Sequence, residues 1–318
     1  MLKRISHTNL LCLILTLLLS TNVFADWSQI DEEGQKGDVT FVYTPDQNRP
    51  PQSLVVLLHG CKQTAQDFII GTQFEKIAQN ENLILLAPEQ SSAHNNFQCW
   101  NWFDNHQQTQ NGSEVQRVIK VLDQTLAQFP SVKHVYVTGI SAGAGLTSIL
   151  INCYPEKFSA AAIHSGIKYK AAEGAIEAFQ AMNFGTTKSA QYTMEKGLEC
   201  SGSQKYVPTM ILHGENDRVV NIKNAEAIVE HNKTQLDFFD DQEINQSYDF
   251  DSVDKTEIPH DETYSVNVTN YIKNKKPQIS LVTIKGLDHA WSGGDEAPYS
   301  DPKGPNSTQL IWSFFKNY

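Results

Sequence analysis

Residues 134–154 read HVYVTGISAGAGLTSILINCY. An apolar, β-branched run ends at Gly139-Ile140-Ser141-Ala142-Gly143, and small and aliphatic residues follow at helical composition. The spacing G-x-S-x-G between a strand and a helix predicts a tight, strained turn with Ser141 at its apex. Side chains two residues to either side would collide there, so both positions are glycine. The turn lifts the Ser141 hydroxyl clear of the backbone and sets it at the positive end of a helix. A glycine-rich turn without chemistry is the bland alternative; the strand before and the helix after argue against it.

The pattern on either side alternates in the same way. Strands are predicted at 38–43, 53–60, 83–89, 134–141, 159–166, 208–214 and 279–286, several of them continuous apolar runs such as SLVVLLHG. Such runs belong to strands buried on both faces. Helices are predicted from about Thr64 to Asn80, over 113–129 with Ser113 as N-cap, after Ser141, over 224–232 and over 308–317. Residues 90–112, rich in Asn and Gln, are expected to be a long loop, and the acidic stretch 233–263 a surface excursion. Alternating strands and helices imply an α/β fold: a mostly parallel sheet with helices on both faces. Without a repeat or a Pro/Ser-rich linker, residues 26–318 are expected to form a single domain.

The first 25 residues have the layout of an export signal: Lys3 and Arg4, an apolar run from Leu10 to Leu19, and Val23-Phe24-Ala25 before the cleavage point. That run is about half the ~20 residues a membrane span needs. The chain of 318 residues carries 36 acids against 25 bases; cleavage removes two bases and no acid. Such a balance excludes nucleic acid or an anionic membrane as the main partner. Export leaves Cys61, Cys99, Cys153 and Cys200, an even set that suggests two disulfides in an oxidising compartment. Spacing alone does not choose among the three pairings. No CxxC or HExxH occurs, so no metal site or cofactor is expected.

A serine nucleophile needs a base. His289, in the Gly-rich KGLDHAWSGGD after the last strand, completes the order Ser…Asp…His of α/β-hydrolases. His59, His164 and His213 sit at strand ends and are expected to be structural. Asp217 in LHGENDRVV is the favoured orienting acid, because it lies deeper in the turn and abuts Val219-Val220. Glu215 competes with it, and Asp288 is the weaker third. The oxyanion of an acyl-transfer intermediate needs two N–H donors. Ala142, after the nucleophile, supplies one, and Cys61, in the loop after strand SLVVLL, supplies the other. Trp100, Trp102 and Trp291 stand beside these loops and are expected either to pack the core or to wall a substrate crevice.

LLHGCKQTAQDF (57–68), PEQ (88–90), CWNWF (99–103), GISAGAG (139–145), IHSG (163–166), HGENDRVV (213–220) and HAWSGGD (289–295) occur in this order. Together they resemble the polyhydroxybutyrate depolymerase family of secreted esterases, whose relatives include feruloyl and acetylxylan esterases. The resemblance spans residues 35–317. It implies an α/β-hydrolase fold, the set Ser141, Asp217 and His289, and oxyanion donors Cys61 and Ala142. It also implies a Cys61–Cys99 disulfide, which leaves Cys153 to pair with Cys200. The expected protein is a secreted, extracellular or periplasmic monomer that hydrolyses a polyester, an oligomer or an acylated saccharide. A reading from another class, a hydrolase fold used only for binding, predicts a broken Ser/Asp/His set, whereas all three positions are filled.

Overall fold

The computed structural model describes residues 26–31, 39–45, 49–259 and 264–318; the expected export signal lies outside them. In chain order the early elements are β1 (Asp26–Asp31), β2 (Val39–Thr44), β3 (Ser53–Leu58), α1 (Ala65–Thr72), α2 (Phe74–Glu81), β4 (Leu83–Pro88) and α3 (Ser113–Gln128). The middle of the chain forms β5 (His134–Ile140), α4 (Ala142–Cys153), β6 (Ala160–His164), α5 (Ala175–Phe184), α6 (Ala190–Ser201) and β7 (Thr209–Gly214). The last part forms α7 (Lys223–Asp241), β8 (Ser252–Ile258), β9 (Val266–Lys273), β10 (Lys276–Ile284), the short pair β11 (Trp291–Ser292) and β12 (Ser300–Asp301), and α8 (Ser307–Phe315).

Among the described residues, ten strands make one sheet in the order β1-β2-β4-β3-β5-β6-β7-β10-β9-β8. The centre, from β4 to β10, is parallel, and antiparallel strands flank it on both sides. Residues alternate across the central strands and feed two cores. Leu54, Val56, Val135 and Val137 pack with Val118 and Leu122 of α3, Leu146 of α4 and Ile228 of α7. Val55, Leu57 and Tyr136 face the other way, onto Phe68 of α1, Phe74 of α2 and Ile311 and Phe315 of α8. Helices therefore cover both faces, as the continuous apolar strands require.

After β3 the chain turns to β4 on one side, then crosses through α3 to β5 on the other. The carboxyl ends of β3 and β5 thus flank a topological switch point, where open α/β sheets form a crevice.

Three expectations need correction. The helix foreseen over 64–80 is two helices, broken at Gln73, whose φ is 56°. The carbonyl of Gly71 accepts from Asp295 N–H at 3.1 Å and Ser300 Oγ at 3.2 Å, so a loop from the far end of the chain is hooked into the break. Gly112, not Ser113, is the N-cap of α3; the side chain of Gln107 accepts from Glu114 N–H at 3.0 Å and does the capping. The stretch 233–263 is not a mere excursion. Its first residues complete α7, and β8 extends the sheet by pairing with β9. Asp237 stops α7 by accepting from the N–H groups of Asn245, Gln246 and Tyr248.

Candidate active site

Ser141 has φ 55° and ψ −119°, a left-handed conformation that a non-glycine residue rarely holds. The neighbouring glycines show why the turn is possible. A Cβ on Gly143 would sit 2.1 Å from the Leu58 carbonyl oxygen and 2.5 Å from that of His59. One on Gly139 would sit 2.5 Å from the Gly143 carbonyl carbon. All these are backbone atoms, so no side chain could yield. The Ser141 N–H donates to the His164 carbonyl at 3.1 Å, and its own carbonyl accepts the first bond of α4 from Gly145 N–H at 3.0 Å. Ala142 is the first residue of α4, one of the four whose N–H groups have no partner within a helix.

His289 lies in the turn after β10, and its Nδ1 donates to Asp217 Oδ2 at 2.8 Å. Asp217 Oδ1 accepts from Val219 N–H at 2.9 Å and Val220 N–H at 2.8 Å, which fixes the carboxylate. Burial pushes the Asp217 carboxyl up, but the hydrogen bond and charge of His289, then His213 and the Val220 N–H, hold it below its ordinary value. The competing acids have other partners. Glu215 accepts from Thr283 Oγ1 at 3.0 Å. Asp288 accepts from the N–H groups of Arg218 and His289, tying the two loops together through the backbone.

The other strand-end histidines are held neutral. His59 is buried between Gln90 N–H, which donates to its Nε2 at 2.9 Å, and the Gly60 carbonyl, 2.8 Å from its Nδ1; burial pushes its pKa down to about 4. His164 is stacked on Trp291 and pushed down to about 3 by burial. His213 donates from Nε2 to the Val220 carbonyl at 2.8 Å, and burial lowers it as well.

Ser141 and His289 line one cavity of about 380 Å³ with Gly60, Cys61, Gln63 and Cys99. The loop after β3 is braced on every side: Gly60 N–H donates to Gln63 Oε1 at 2.8 Å, Lys62 N–H to the Phe97 carbonyl at 2.7 Å, and Gln63 Nε2 to the Pro298 carbonyl at 2.6 Å. Disulfides join Cys61 to Cys99 and Cys153 to Cys200. The first anchors this loop to the aromatic segment 97–103.

The family model described as esterase PHB depolymerase matches residues 41–246. The chain belongs to this family. It is 29% identical over 253 residues to poly(3-hydroxyalkanoate) depolymerase C of Paucimonas lemoignei, covering 78% of this chain and 57% of that protein. It is 29% identical over 189 residues to feruloyl esterase B of Neurospora crassa, covering 58% and 61%. The chain thus spans about three fifths of the length of these curated relatives. An acetyl xylan esterase from Aspergillus awamori shares the fold, with a TM-score of 0.69 at 16% identity over 92% of this chain and 100% of that one.

Of the five tryptophans of this esterase-family chain, Trp100, Trp102 and Trp291 lie beneath the site, and none of the three lines the cavity. Trp100 donates Nε1 to the His59 carbonyl at 3.0 Å, Trp102 packs against Gly145, and Trp291 meets Phe68 edge-on at 5.3 Å. The aromatic and aliphatic lining is instead Phe97, Ile140, Met182, Val219 and Tyr299. Tyr299 stands edge-on to His289 at 6.2 Å and is held at φ 56°, strained for an aromatic residue. Ile140 and Val219 lie inside the motifs GISAGAG and HGENDRVV, and Phe97 stands two residues before CWNWF, whereas nothing local to Met182 or Tyr299 points to a cavity. Among the described residues, no cluster of three His, Cys, Asp or Glu side chains could hold a metal ion, and no helix is long and apolar enough to cross a membrane.

Proposed function

We propose that the protein is an exported serine esterase that cleaves carboxylic ester bonds through an acyl-enzyme. One observation carries this reading: His289 is hydrogen-bonded to a fixed Asp217 carboxylate and shares a cavity with Ser141. Because a carboxylate only accepts, the bond puts a proton on Nδ1 and leaves Nε2 free to act as base. His289 takes the proton of Ser141 as Oγ attacks the ester carbonyl, and Asp217 stabilises the imidazolium. The main-chain N–H groups of Cys61 and Ala142 donate to the oxyanion, with the N-terminus of α4 adding its dipole. Collapse expels the alcohol with the proton from His289; water, activated by the same imidazole, then releases the acid.

The substrate favoured is poly(3-hydroxybutyrate) or its oligomers, supported by the family and by an apolar cavity large enough for a short aliphatic ester. A second reading, feruloyl or acetylxylan ester hydrolysis, is favoured by the two rings at the mouth, Phe97 and Tyr299. The two disulfides agree with an exported protein, extracellular or periplasmic.

Replacement Ser141→Ala should abolish hydrolysis of p-nitrophenyl acetate while the circular dichroism spectrum stays native. Retained turnover would remove the assignment. Release of hydroxybutyrate rather than ferulate or acetate from a panel of natural esters decides the substrate.

A further inference from the structure

Helix α5 leaves its apolar side bare. Ile176 is 79% exposed, Phe179 66% and Phe184 69%, and they form a groove with Ala175 and Gln180. Only Ala178 and Ala181 of this helix are buried. The helix is nonetheless firmly placed. The Ala181 carbonyl accepts from Asn224 Nδ2 at 2.8 Å, and the Met182 carbonyl from Asn221 N–H at 2.7 Å. Both donors follow the loop that carries Asp217, so α5 is pinned beside the site.

The bare surface runs into the cavity. Met182, three residues after Phe179 and therefore its neighbour on the helix, lines the cavity with Ser141. Phe97, Val219 and Tyr299, each well exposed, continue the apolar rim.

We propose that this face of α5 adsorbs the protein onto the surface of a solid, uncharged aliphatic polyester and presents an adjoining chain to Ser141. The proposal rests on the esterase reading for its substrate and on the surface of α5 for its site. Charge decides against an anionic membrane. The charged residue of α5 is Glu177, paired with Lys188 at 3.3 Å, and membrane-surface helices carry Lys and Arg instead. Area decides against a second copy. Three partly exposed side chains offer roughly 400–500 Å², short of the ~800 Å² per partner of a stable interface. Patches of roughly 300–600 Å² on monomers are often functional.

The test uses the full exported chain. Ser141→Ala protein is mixed with poly(3-hydroxybutyrate) granules, and its depletion from solution is compared with that of the same protein carrying Ile176→Ser, Phe179→Ser and Phe184→Ser. The triple change should weaken adsorption by about 100-fold or more, since most of the apolar contact is lost. With Ser141 present, the triple change should leave kcat/KM on p-nitrophenyl acetate within about twofold and sharply reduce release of soluble product from granules. Equal adsorption of the triple variant overturns the proposal. So does conversion of a dimer to a monomer by the triple change in sedimentation velocity, or adsorption to phosphatidylglycerol vesicles in place of granules. Hydrolysis of p-nitrophenyl acetate by Ser141→Ala would instead remove the esterase reading and leave the adsorption result standing.

Discussion

Asp217→Asn isolates the acid without disturbing the loop around it. Oδ1 accepts two main-chain N–H groups, so in the variant the amide oxygen is expected to keep that position. The new NH2 then faces His289 Nδ1, where it can only donate. His289 must move its proton to Nε2, and the base for Ser141 is gone. The charge effect adds to this. The hydrogen bond of 2.8 Å sets the two charges about 4 Å apart, worth about 4 kcal/mol at the effective dielectric of such sites, or roughly 10³ in rate. With the wrong tautomer included, kcat on p-nitrophenyl acetate should fall by about 10³–10⁴-fold. Glu215→Gln, whose carboxylate serves Thr283, should stay within about threefold. The assay is steady-state turnover beside a thermal melt. A well-folded Asp217→Asn protein losing less than about 30-fold, or a Glu215→Gln protein losing as much, would refute the reasoning.

Two further outcomes follow from the same geometry. The disulfides close loops of similar sequence separation, 38 and 47 residues, so Cys61→Ser/Cys99→Ser and Cys153→Ser/Cys200→Ser should each cost about 4 kcal/mol in urea unfolding; only the first pair lines the cavity, and only its loss should lower kcat at temperatures where both variants are folded. Stability should also fall steadily as pH drops below about 6.5. His59, His164 and His231 are pushed down by burial to about 4, about 3 and about 3, so they stay neutral when folded and take up protons on unfolding. Each adds a slope of about 1.4 kcal/mol per pH unit between those values and 6.5. Asp217, held low, adds its own loss only below about pH 4. Urea midpoints that stay flat from pH 7 to pH 5 would contradict this.

Local patterns show in the structure: Val118 and Leu122 fall on the buried face of α3, and the elbow at Ser141 has the strained backbone that Gly139 and Gly143 announce. The start of α3 is the exception, because Gln107 rather than Ser113 caps it. The break at Gln73 was not legible, because its cause is a loop more than 200 residues away hooking onto Gly71. Nor was the β8–β9 edge, since an acidic composition says that a segment is solvated and not that it pairs with a neighbour.

By itself the sequence determined the class of fold, the tight turn that carries Ser141 and the loops that could hold a base and an acid. Periodicity and backbone sterics act over a few residues and leave their mark there. The tertiary structure alone decided which acid meets His289, which rings line the cavity and which pack beneath it. Those choices depend on strand order and on contacts between distant loops. The tryptophans show the difference. Their position beside the site loops was visible in the chain, but whether a ring faces solvent or core is set by what packs over it, and here it is His59, Gly145 and Phe68.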